Sequence, residues 1–104
     1  MSKTERSKTS RRQLRAIGHR LRPVVTVAAR GLSDAVMQEL ERALDDHELI
    51  KVKLPAGARR TRQAMAAELC GKSGAELLQS VGNVILILRR SAEPNPKLSN
   101  LMRV

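Results

Sequence analysis

Apolar positions recur along this chain at two different spacings. From Ser10 onward, Leu14, Ile17 and Leu21 repeat at helical intervals, with Ser10 placed to cap the first turn and Arg11, Arg12 and Arg15 on the polar side. Pro23 ends that helix at or before Arg22, because the residue preceding a proline is disfavoured in the helical region. Val24, Val25, Thr26 and Val27 follow as a β-branched run, the pattern of a short buried strand. After Gly31, Ser33 is positioned to cap a second helix. Its apolar stripe is Val36, Met37, Leu40, Ala43 and Leu44, and Glu39, Glu41, Asp45 and Asp46 take the water side.

His47 and Glu48 turn the chain into LIKVKL, where Ile50, Val52 and Leu54 alternate with Lys51 and Lys53. Period two predicts a half-buried strand with a lysine-bearing face. Pro55, Ala56 and Gly57 break it, and Arg59, Arg60, Thr61 and Arg62 open a third helix that buries Met65, Ala66 and Leu69 and ends at Gly74. Residues 77–81 and 84–88 flank Gly82-Asn83, a two-residue hairpin signal. The predicted order is α-β-α-β-α-β-β, a single compact α/β domain with helices packed on a mixed sheet. The domain is expected over residues 10–90, with residues 1–9 a basic flexible tail and residues 91–104, which contain Pro94 and Pro96, a second flexible tail.

Size and charge narrow the function classes. A chain of 104 residues builds one core and has no room for an enclosed substrate domain. Its 20 Lys+Arg against 10 Asp+Glu leave a net charge of +10, which predicts a polyanionic partner, nucleic acid ahead of an anionic membrane. The charge is segregated: residues 1–30 hold nine Lys/Arg and one Glu, whereas residues 31–50 hold six acids and one Arg. Basic side chains are therefore expected to gather as a patch. Phe, Trp and Tyr are absent, so the ring platform on which many single-strand binders stack bases is missing. Contacts to a nucleic acid would then run through phosphates, sugars, backbone amides and arginine planes.

The single cysteine, Cys70, has no internal disulfide partner and lacks the spacing of a zinc site. A reduced, cytoplasmic setting is expected. The basic N-terminal segment is not followed by the apolar core of a secretory signal, although its Ser and Arg content is shared with organelle transit peptides. No stretch approaches the ~20 apolar residues of a membrane span.

Catalytic chemistry finds no anchor. Gly71-Lys72-Ser73 matches the end of a phosphate-binding loop, but Ala66 stands at the first glycine position, and the helix precedes the loop where a strand is needed. His19 and His47 lie at predicted helix ends, where imidazole serves as a favourable C-terminal charge, and no nucleophile is close in sequence. Cys70 beside Leu69 reads as a small core residue. The expectation is a non-enzyme with no cofactor, no metal, no small-molecule substrate and no membrane partner, present as a monomer.

What remains is the junction of strand and second helix. A strand, a short glycine-bearing turn and a helix N-terminus bring free backbone N–H groups and the positive end of a helix dipole to one surface point. Gly31 permits close backbone approach, and Arg30 adds a fork of donors suited to phosphate.

The segments LRAIGHRLRPVVTVAARGLSDAV, LDDHELIKVKL and VGNVILILRR, spanning residues 14–90, resemble the small YhbY-type proteins, single-domain members of the CRM (chloroplast RNA splicing and ribosome maturation) RNA-binding family. The resemblance implies a four-stranded mixed sheet with helices, similar to the C-terminal domain of translation initiation factor three. It also implies non-catalytic binding to rRNA in precursors of the large ribosomal subunit, with an RNA-binding adaptor in translation or RNA processing as the alternative. The family's GxxG loop falls here on Ala28, Ala29, Arg30 and Gly31, with Ala28 at the first glycine position. If that position required a positive φ, Ala28 would be strained by ~1 kcal/mol or more, so a different turn is expected, with Arg30 compensating by direct charge. The candidate RNA-contacting set is these four residues together with Arg20 and Arg22 beside the loop, Arg11, Arg12 and Arg15 on the first helix, Lys51 and Lys53 on the lysine face, and Arg59, Arg60 and Arg62 at the third helix. Without aromatic rings, recognition of RNA shape is expected ahead of a linear sequence code.

Overall fold

A computed structural model of the chain describes residues 10–102. The elements follow one another as α1 (Arg11–Gly18), β1 (Pro23–Thr26), α2 (Asp34–His47), β2 (Leu49–Lys53), α3 (Arg59–Ser73), β3 (Glu76–Val81) and β4 (Val84–Leu88), in the expected order. The strands form one four-stranded sheet in the order β1-β2-β4-β3. β1 runs parallel to β2, and β4 is antiparallel to both of its neighbours, so the sheet is mixed.

Local chemistry accounts for the element ends. The Ser10 hydroxyl accepts from the Gln13 amide at 3.1 Å while the Gln13 side chain accepts from the Ser10 amide at 2.9 Å, a reciprocal cap on α1. The Ser33 hydroxyl accepts from the Val36 amide at 3.2 Å and starts α2. Gly74 closes α3 in the left-handed conformation, and Gly82 takes the first central position of the β3–β4 turn with φ +59°.

α1 stops earlier than its apolar spacing suggests. It ends at Gly18, and Leu21 is reached through a tighter turn in which its amide donates to the Gly18 carbonyl at 2.9 Å. At Gly18 the helix lies almost directly on β4, where an added Cβ would stand 2.6 Å from a Leu86 methyl. Only glycine admits that approach.

Both faces of the sheet are packed, though unequally. Val25 and Val27, Ile50 and Val52, and Ile85 and Ile87 face Leu40, Leu44, Ala66 and Leu69 of α2 and α3. On the opposite face Leu49, Leu78, Leu86 and Leu88 pack with Leu14 of α1 and with Leu101. β2 is therefore buried on both sides at its start, and the lysine face predicted for it is open only further on, with Lys51 half-buried and Lys53 exposed. Arg89 secures the end of β4, donating to Glu41 Oε1 at 2.7 Å, the Ser73 carbonyl at 2.8 Å and Asp45 Oδ1 at 2.9 Å.

The segment after β4 differs from the flexible tail that its prolines suggested. Glu48, with φ +62° between α2 and β2, is fully buried, and its carboxylate accepts from the Ser91 amide and the Ser99 hydroxyl, each at 2.6 Å. Asn100 donates from its amide to the His47 carbonyl at 3.0 Å and from its side chain to the Leu49 carbonyl at 2.6 Å, while His47 Nδ1 donates to the Leu98 carbonyl at 2.9 Å. Prolines exclude regular structure here, but carbonyl groups at the end of α2 still need partners, and this segment supplies them. The predicted tail at residues 1–9 lies outside the described residues.

Candidate nucleic-acid interface

Parallel pairing of β1 and β2 makes both strands leave the sheet at the same end. Val27 donates to the Lys53 carbonyl at 2.8 Å, and Leu54 donates to the Asn83 carbonyl at 2.7 Å, which brings the β3–β4 turn to that end as well. The Asn83 side chain returns a bond to the Leu54 carbonyl at 2.8 Å. Because α2 follows β1 and α3 follows β2, both helices begin at this end of the sheet.

The loop formed by Ala28, Ala29, Arg30 and Gly31 closes on itself, with the Gly31 amide donating to the Ala28 carbonyl at 2.9 Å. Gly31 has φ +89°, whereas Glu48 is the only non-glycine with a positive φ among the described residues. The strain considered for Ala28 is therefore absent, because the left-handed demand falls on Gly31. Past the turn, the Ser33 amide donates to the Gly31 carbonyl at 3.0 Å, leading directly into the cap of α2. The loop rests on α3 across a shallow pocket of about 140 Å³ between Ala29, Pro55, Gly57, Thr61, Arg62 and Met65. Pro55 and Met65 thus support the loop. Neither is marked for that role by the sequence, since each contact crosses between elements.

Charge at this end is one-sided. α3 has no side chain capping its start at Ala58 and no acidic residue in its first turn, so its first amides remain open donors at the positive end of a 15-residue helix. Arg30, Lys53, Arg59 and Arg60 are exposed and form no ion pair among the described residues. Arg62 is partly committed, folding back to donate to the Gly57 carbonyl. Asp34, in the first turn of α2, is the local counterweight. Glu41 and Asp45 lie further along α2, held by Arg89 at the far end of β4.

The remaining candidates do not join this group. Arg20 and Arg22 precede β1 and the loop follows it, so the strand separates them by about 13 Å, and they are not beside the loop as the sequence order suggested. Arg11 pairs with Glu76 and also donates to the Leu77 carbonyl at 3.1 Å, which fixes the start of α1, with Arg12 and Arg15, near the beginning of β3. Lys51 lies between the two groups on the sheet face that carries α1, opposite Pro23 in β1.

Partial burial pushes the Cys70 thiol up, away from the lowered value that makes a cysteine nucleophilic. No group of three or more His, Cys, Asp or Glu among the described residues could hold a metal ion. No helix among those residues is long and apolar enough to cross a membrane.

A family model for the CRS1/YhbY (CRM) domain matches residues 7–89. The chain belongs to the CRS1/YhbY family. The CRM match takes in the sheet, the loop and the starts of both α2 and α3. The chain is 50% identical over 93 residues, 89% of each chain, to a Pseudomonas aeruginosa protein named a probable RNA-binding protein. It is 35% identical over 85 residues to a Haemophilus influenzae protein named an RNA-binding protein, covering 82% of this chain and 86% of that one. A solution structure of a Staphylococcus aureus protein, described as a candidate RNA-binding protein, superposes with a TM-score of 0.72 at 28% identity, covering 80% of this CRM chain and 86% of its counterpart.

Proposed function

We propose that this protein is a non-catalytic RNA-binding protein that grips RNA backbone with the loop-bearing end of its sheet. We propose further that its RNA is rRNA in precursors of the large ribosomal subunit, whose assembly it assists in the cytoplasm. One observation carries the reading: the Gly31 turn and the uncapped start of α3 share one end of the sheet with Arg30, Lys53, Arg59 and Arg60, all without internal ion partners among the described residues. Backbone amides at a helix start and arginine forks are phosphate ligands, and a glycine-bearing loop lets a nucleic-acid backbone come close. The RNA-binding names of the relatives support the choice of polyanion. The likeness to YhbY-type proteins supports the large-subunit target.

Sedimentation of a tagged copy in a lysate gradient tests this. Comigration with the large subunit or its precursors, lost on ribonuclease treatment or in high salt, is the expected result. Residence at the top of the gradient with RNA still crosslinked would assign the protein instead to free transcripts, as an adaptor in translation or RNA processing.

A further inference from the structure

α1 covers only part of its sheet face. Beyond its end at Gly18 a groove of about 430 Å³ opens, with Pro23, Val81 and Val84 as an apolar surface over the buried Leu86 and with His19, Lys51 and Gln79 as its polar lining. Val81 is 65% exposed, so apolar surface lies open to water here. Neither neighbouring segment fills the groove: α1 stops short of it, and residues 98–101 dock at the opposite end of β2, on His47 and Leu49.

The lining chemistry selects an occupant. No carboxylate among the described residues lines the groove, Lys51 is cationic, and the exposed Arg20 and Arg22 adjoin His19 and Pro23 in the chain. Lys53 lies on the same strand face as Lys51, about 7 Å further on, at the end that carries the loop. An apolar groove beside cations matches a planar base attached to phosphates. A ring is available for stacking even though Phe, Trp and Tyr are absent. The chain has two histidines, and His47 is engaged with Leu98, whereas His19 is exposed at the groove. Histidine is among the side chains on which unstacked bases settle. Gln79 is exposed and offers both a donor and an acceptor to a base edge.

We infer that this groove receives one unpaired nucleobase of the bound RNA, stacked against His19, with the flanking phosphates on Lys51 and Lys53. The inference rests on the RNA-binding reading and adds to it a preference for RNA with an unpaired nucleotide. A base inside a duplex presents only its edge and cannot enter.

The test uses the full chain and two probes, a short single-stranded RNA carrying one 2-aminopurine and a blunt duplex of the same sequence. The wild-type protein should perturb 2-aminopurine fluorescence and favour the single strand. His19→Ala should weaken single-strand binding about tenfold and remove the fluorescence change while leaving duplex affinity unaltered, and His19→Phe should restore both. Single-strand affinity and fluorescence unchanged in His19→Ala, with Arg30→Ala still weakening both probes, would overturn the groove assignment and leave the RNA reading standing. Failure of the wild-type protein to bind either probe or any cellular RNA would overturn both. Self-association abolished by Val81→Lys, with RNA affinity unchanged, would give the groove to a second copy and overturn the inference.

Discussion

A Cβ built on Gly31 would stand 3.9 Å from the Met65 methyl, so the loop after β1 is seated on the side of α3. This seating turns two separate basic segments, Arg30 and the Arg59–Arg60 pair, into one surface. It also separates two requirements that a glycine-flanked loop motif combines, since the positive φ is needed at the fourth position and not at the first.

Gly31→Ala should therefore be costly where Ala28→Gly is not. A non-glycine residue at φ +89° is strained by roughly 1–2 kcal/mol, and relief of that strain would shift the backbone amides of the loop. Denaturant titration should show a loss of that order, and filter binding a marked loss of RNA affinity. Ala28→Gly should leave affinity within twofold or so, with at most ~1 kcal/mol of stability lost to added backbone freedom.

Arg60→Ala and Arg30→Ala should each lower RNA affinity and reduce the log–log salt slope by about 0.7–0.9, the signature of one lost phosphate contact. Arg11→Ala should behave otherwise. Its partner is Glu76 and both side chains are more than half exposed, so the expected effect is at most ~1 kcal/mol of stability with the salt slope unchanged. Titrations at several salt concentrations separate the two behaviours.

Gly18→Ala pits helix propensity against space. Alanine favours a helix by ~1 kcal/mol, but its Cβ would meet the buried Leu86 side chain at 2.6 Å, and overpacking of that kind costs about 1–3 kcal/mol. The net outcome should be a lower unfolding midpoint. Leu86→Ala in the same background should recover part of the clash while introducing its own cavity, a coupling that a double-mutant cycle reads directly.

Ser99→Ala removes one donor from the buried Glu48 carboxylate and should destabilise the fold by about 1–3 kcal/mol. Hydrogen exchange should then accelerate at residues 98–101 and at the end of α2, which share the same bonds. RNA affinity should hold, because the loop lies at the opposite end of the sheet.

Partial burial raises the Cys70 thiol above its ordinary value, so less thiolate is present near neutral pH than in a free thiol. Alkylation by iodoacetamide should be slower than that of free cysteine at neutral pH and accelerate only under more alkaline conditions. A rate equal to free cysteine across the range would contradict the burial.

Several features were legible before any tertiary structure. Ser10, Ser33, Gly74 and Gly82 each act within one turn of their own element, and the helices and the hairpin they bound are found where those signals lie. The alternation of Ile50, Val52 and Leu54 likewise reports one buried face of β2 directly. The existence of a glycine-bearing loop between strand and helix was equally plain, as was the surplus of positive charge.

Tertiary structure decided the rest, because it depended on partners distant in sequence. Period two cannot show that Leu49 is buried on the other face, since α1 and Leu101 cover it. Helical spacing carried α1 on to Leu21, but the helix ends at Gly18 and the chain reaches Leu21 through a tighter turn, with the Arg20 and Leu21 amides on the Ile17 and Gly18 carbonyls. Proline content made residues 91–104 look free, yet Ser99 and Asn100 answer polar groups left at the junction of α2 and β2. Arg20 and Arg22 are close to the loop in number and a strand's length from it in space, whereas Arg59 and Arg60 are distant in number and share its end of the sheet. A local pattern records what one element needs to bury. Which charged groups then stand together is settled by strand order and by the parallel pairing of β1 with β2.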